Sequence, residues 1–350
     1  MNVKKIILIL TIAVFFILLF FGGYTYWNTA EADKTCASCH EIRHSVASFG
    51  SSAHRELACY ECHGTALSNG FHSLKEKSGM VFRHVKENVT HDDIHLTEEQ
   101  VLETSESCIR CHQSEYKNWL AGGHSTTYED IFLDSVHNSM EPPYPDCFRC
   151  HGMYYEGTIN DLMEPISRNG PWHLKDPEKA DDPTIPCLAC HQVHTENPVL
   201  SHEVMDSLGY IPRDPIVSLY LRADKMHLRA DKFVKPLIYH DGELITTSDD
   251  YSQRVCLQCH SPDFTHEAGT SDDRTPTGVH EGLSCNSCHV PHSMDAQNSC
   301  VKCHPAISNC NLDVHEMNTT YADPDSPHNI HFVSCEDCHN NELSSLKVRD

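Results

Sequence analysis

Nine times the chain reads Cys-x-x-Cys-His, beginning at Cys36, Cys59, Cys108, Cys147, Cys187, Cys256, Cys285, Cys300 and Cys335. Two thiols at this spacing, followed at once by an imidazole, are the attachment signature of a c-type haem. The thiols bond to the porphyrin edge, and the His ligates the iron beneath it. With 19 Cys and 28 His in 350 residues, random order would give roughly 0.08 such motifs, so nine are not chance. The covalent positions are Cys36, Cys39, Cys59, Cys62, Cys108, Cys111, Cys147, Cys150, Cys187, Cys190, Cys256, Cys259, Cys285, Cys288, Cys300, Cys303, Cys335 and Cys338. The proximal iron ligands are His40, His63, His112, His151, His191, His260, His289, His304 and His339. Zinc ribbons need two Cys pairs per metal and no His after each pair. A disulfide framework would not impose the pattern either. The expectation is nine c-type haems with their iron. Cys310 stands outside the motifs and reads as a structural thiol.

The remaining His are numerous enough to give every iron a second imidazole, whereas the chain holds only 9 Met. Bis-His ligation saturates the iron and gives a lower potential than His/Met ligation. Such an iron carries electrons and binds no substrate, so no catalytic residue is expected. The leading distal candidates are His54, His280 and His331, which shortly precede a motif, and His194 and His292 in Cys-His-x-x-His. His124, His137, His315 and His328 come next. His44, His72, His84, His91, His95, His173, His202, His227, His240 and His266 stand behind them.

Several elements would position these groups. Lys4 and Lys5 precede an uncharged apolar run from Ile6 to Gly23, followed by Tyr24, Tyr26 and Trp27. This is the pattern of a membrane span with its basic end in the cytoplasm and an aromatic belt outside. Residues 1–28 are therefore expected to be an uncleaved anchor in the inner membrane, with the haem domain on the periplasmic side. Cleavage as a signal peptide near Ala30-Glu31-Ala32 is the rival reading.

Successive motifs are 23, 49, 39, 40, 69, 29, 15 and 35 residues apart, so a site repeats rather than a structural unit. The expected modules are a dihaem region over 29–95, a trihaem region over 96–200, a haem-free connecting segment over 201–250 and a tetrahaem region over 251–350. In the connecting segment, Asp241-Gly242 between two apolar runs predicts a hairpin. Residues 218–233 read as helix or loop. Val81, Val85 and Val89 predict a helix over 74–89, and Thr97-x-x-Gln100 a capped helix running into the third motif. The expected fold class is a multihaem cytochrome c: mainly short α-helices and loops wrapped on haems, little β, and one N-terminal transmembrane helix. The net charge of −24 argues against nucleic acid as a partner.

The anchor, the immediate CASCH, then Ser52-Ala53-His54 and CYECH resemble the NapC/NirT type of membrane-anchored quinol dehydrogenase over roughly residues 1–95. The resemblance implies a first haem at the membrane surface beside a quinol site. Members often carry Met two residues after the first haem His. Ile42 stands there in this chain, so the first iron takes another ligand, such as His44, or stays five-coordinate. The stretches around CNSCH and CEDCH look like the periplasmic multihaem cytochromes of anaerobic respiration. The function expected is a nonahaem conduit from the quinol pool, menaquinol above all, to a periplasmic cytochrome or reductase. The haem on His40 would take up electrons, and those on Cys300 and Cys335 would deliver them. One alternative is a reductase of nitrite, hydroxylamine or sulfur oxyanions using Tyr220, Arg222, Lys225 or His227, although no Cys-x-x-Cys-Lys variant occurs. Another is a protomer of an extracellular cytochrome filament.

Overall fold

In this computed structural model the described residues are 3–29, 36–50, 52–63, 71–86, 95–194, 217–240, 242–260, 275–276, 278–289, 291–292 and 297–304. Helix α1 spans Val3–Thr29, and its 24 residues Val3–Tyr26 have mean hydropathy 3.0 with no side bedded in protein. At 27 residues it is about 40 Å long, ample for a hydrocarbon layer of about 30 Å. Length and composition fit an anchor and a signal sequence alike.

The chain gathers into two compact units, residues 1–108 with 192–210 and residues 109–191 with 211–350. The first holds α1, α2 (Arg43–Phe49), α3 (Cys59–His63), α4 (Phe71–Lys86) and most of α5 (Glu98–Ile109). The capping box of α5 forms as its sequence predicts. Thr97 N donates to Gln100 Oε1 at 3.0 Å, and Gln100 N donates to Thr97 Oγ1 at 3.3 Å. Helix α4 forms too, but Val81 and Val85 are exposed, as are Met80 and Phe82. The valine periodicity therefore marks the helix without marking a protein-facing core. Val89 lies outside the described residues.

The second unit contains α6 (Gln113–Leu120), α7 (Tyr128–Phe132), α8 (Ser135–Met140), α9 (Ile159–Leu162), α10 (Tyr251–Cys256) and α11 (Cys285–Cys288). These helices are too short to persist on propensity alone. Caps hold several of them: Thr127 with Asp130 on α7, Asp134 on α8, Thr158 with Asp161 on α9, and Asp250 on α10. Three antiparallel two-stranded pairs accompany them: β1 (Met163–Glu164) with β2 (His173–Leu174), β3 (Ser218–Leu221) with β4 (Met226–Arg229), and β5 (Tyr239–His240) with β6 (Glu243–Leu244). One core is an aromatic ladder, with centroid separations of 5.7 Å for Tyr128–Phe132, 5.4 Å for Phe132–Phe148 and 5.2 Å for Phe148–Tyr155. It is closed by Ile159, Leu162, Met163 and Leu174. A second core joins Leu219, Ala230, Phe233 and Val255.

Residues 218–233 differ from the helix-or-loop reading. They form the β3–β4 hairpin, in which Leu219 pairs with Leu228 and packs towards Phe233 and Val255. The charged residues Arg222, Asp224 and Lys225 fall at the turn, where Lys225 takes φ +52°. Pairing buries Ser218, Leu219 and Tyr220 of β3, while Arg229, Asp231 and Lys232 beyond the turn form ion pairs of their own.

Candidate functional site: the haem-attachment motifs

Five of the described motifs close a single helical turn. The His amide donates to the carbonyl of the first Cys at 2.9 Å in His151–Cys147, 3.1 Å in His191–Cys187, 2.9 Å in His260–Cys256, 2.8 Å in His289–Cys285 and 2.8 Å in His304–Cys300. Residues three and four apart share one face of such a turn. The spacing thus points two sulfurs and one imidazole to the same side, the arrangement that covalent attachment and proximal ligation require.

The imidazoles face one another in pairs. In the first unit, His63 and His194 have centroids 6.2 Å apart, and His40 and His84 5.5 Å apart. In the second, His191 pairs with His292 at 5.7 Å, His260 with His124 at 6.2 Å, and His304 with His280 at 6.3 Å. Each pair joins a motif His to one outside the motifs. Two imidazoles on opposite sides of one metal ion, each bonded at about 2 Å, hold their centroids roughly 6 Å apart. The donor sets therefore fit bis-His haem. Burial lowers the proton affinity of His124, His191 and His194, favouring the neutral imidazole that ligates metal. His194 Nδ1 lies 3.0 Å from the Ser45 carbonyl, a bond that fixes its tautomer and leaves the Nε2 lone pair as the one that could ligate a metal.

Of the distal candidates from sequence, His124, His194, His280 and His292 stand in these pairs. His54 sits in the turn between α2 and α3, its amide bonded to Ser52 Oγ at 3.2 Å. His137 lies in α8, its amide bonded to the Asp134 cap at 3.2 Å. His315, His328 and His331, the motif from Cys335 to His339, and Cys310 lie outside the described residues. His84 was among the weaker candidates, and its pairing with His40 was not legible in motif spacing.

Thiols of different motifs also adjoin in the second unit. The Cys259 thiol is raised well above its ordinary value, first by a hydrogen bond with Cys150 and then by burial. Cys285 is pushed up by its hydrogen bond with Cys256. The attachment edges of the fourth and sixth motifs thus meet, as do those of the sixth and seventh.

The polar groups on β3 and β4 are committed elsewhere. His227 Nδ1 lies 2.9 Å from Ser218 Oγ, and Nε2 lies 3.2 Å from Tyr154 OH. Tyr154 itself donates to the Leu188 carbonyl at 2.7 Å, so its oxygen accepts from His227 Nε2–H. Tyr220 stacks on Tyr154 at 4.0 Å. Arg222 donates to the carbonyls of Tyr155 and Gly157, the latter at 2.7 Å, and covers the Phe148 ring.

The family described as "Cytochrome c554 and c-prime" matches residues 107–192 and 225–290. These two stretches cover less than half of the chain and hold the motifs beginning at Cys108, Cys147, Cys187, Cys256 and Cys285. No curated protein and no solved structure matches. The match indicates a c-type cytochrome family, with c-type haem and its iron, and suggests a multihaem electron-transfer protein.

Proposed function

We propose that the chain is a membrane-anchored nonahaem cytochrome that takes electrons from the quinol pool, menaquinol above all, and delivers them to a periplasmic cytochrome or reductase in anaerobic respiration. The observation that carries this reading is the opposition of motif and non-motif imidazoles in both units. Bound haem supplies one-electron iron chemistry, with a potential set by axial ligands, hydrogen bonding and burial. Among the described residues, five imidazole pairs would hold an iron from both sides, and burial favours the neutral, ligating form of His124, His191 and His194. The meeting of Cys150 with Cys259 and of Cys256 with Cys285 supports close packing of neighbouring cofactors.

Two features support quinol as the donor. Helix α1 can serve as the anchor. Helix α4 exposes Met80, Val81, Phe82 and Val85, an apolar surface suited to lipid or quinol. The reductase alternative draws less support. Of the four groups named for a substrate, Tyr220 is stacked on Tyr154, Arg222 and His227 are hydrogen-bonded within the protein, and Lys225 stands at the turn. The reading is tested in membranes containing the full-length protein. A menaquinol analogue is expected to give the reduced haem spectrum, and a variant lacking residues 1–28 is expected to reduce at least tenfold more slowly. Failure of the full-length protein to reduce removes the quinol role.

A further inference from the structure

The first motif lacks the Met often found two residues after its His, and sequence left its sixth ligand open. The geometry points to His84 as the distal ligand of the haem held by Cys36 and Cys39, with Glu41 as the residue that positions it; this rests on the haem reading above.

Three observations converge. The ring facing His40 is that of His84, at 5.5 Å between centroids and 56° between planes. His84 arrives near the C-terminal end of α4 (Phe71–Lys86), an element remote in sequence from the motif. Second, His84 Nδ1 is bonded to Glu41 Oε1. A carboxylate takes a proton from one ring nitrogen, so Nδ1–H donates to Glu41 and the Nε2 lone pair is left for metal. This is the carboxylate–histidine–metal relay, which fixes the tautomer and makes the imidazole a stronger donor. Third, the carboxylate is built in rather than a surface acid. Glu41 is only 5 % exposed, and one ligand atom each from Cys39, Glu41 and His84 lie within 4.8 Å of one another.

Glu41 Oε1 also lies 3.5 Å from His40 Nε2, the atom that would ligate iron. The carboxylate is thus the competing ligand. The two differ in outcome: imidazole gives a low-spin iron, while a carboxylate oxygen gives a high-spin one.

The experiment uses the full-length haem-loaded protein and low-temperature electron paramagnetic resonance. In His84→Gly, one low-spin haem equivalent is expected to become high-spin, and added imidazole is expected to restore it. In Glu41→Gln, the low-spin count is expected to hold while one low-spin signal and one midpoint potential shift upward, with Glu41→Asp returning both towards the starting values. The same substitution of His44 is expected to leave the spectrum unchanged. The assignment is overturned if His84→Gly leaves every low-spin signal in place, if His44→Gly produces the conversion, or if Glu41→Gln rather than His84→Gly changes the spin state. A protein without covalently bound haem would sink the functional reading itself. A full haem complement with unresponsive His84→Gly sinks the ligand assignment alone.

Discussion

At the scale of the residue, the local geometry of the motifs was the most legible feature. Cys-x-x-Cys-His fits one helical turn, so local spacing alone brings its sulfurs and imidazole to one side. The imidazole pairs depend on tertiary structure. His194 and His292 follow a motif His by three residues, yet each faces the imidazole of a different motif, His63 and His191 respectively. His227 could not be ranked from sequence, because its commitment to Ser218 and Tyr154 depends on the hairpin. It should leave a pH signature. Burial pushes its folded-state value from 6.5 down to about 4. Between those pH values the unfolded chain binds a proton that the folded chain refuses. Its effect is therefore absent above about pH 6.5 and grows as pH falls towards about 4, reaching about 3 kcal/mol of lost stability. Denaturant unfolding at stepped pH should show this acid loss, and His227→Asn should flatten it. An unchanged slope would contradict the buried, neutral assignment. Gly152, directly after His151, has φ +75°, and a Cβ there would lie 2.8 Å from the Tyr128 ring. Gly152→Ala should destabilise the second unit by about 1–3 kcal/mol, read as a lowered melting temperature.

At the scale of the element, caps and turns were legible where they rest on neighbouring residues. Thr97 and Gln100 form the box their spacing announces. Thr97→Ala should cost about 1 kcal/mol of stability, measurable by denaturant titration, while leaving haem content unchanged. Burial was less legible. The valines of α4 repeat with helical period yet lie exposed on the protein surface, because periodicity names a face without naming what covers it. The β3–β4 segment was missed as a hairpin for a related reason. Its pairing needs Lys225 in the left-handed region, and no Gly or Asn flags that turn.

At the scale of the molecule, the sequence foretold mainly short α-helices and loops with little β, and the described residues are largely short helices with three short two-stranded pairs. On the proposed function, paired imidazoles would hold the haem irons from both sides, so that the protein would carry electrons rather than transform a substrate. Electron paramagnetic resonance of the oxidised full-length protein, recorded with and without nitrite or hydroxylamine, tests it most directly. The account predicts low-spin bis-His signals that neither compound alters. A high-spin iron that responds to either one would contradict it.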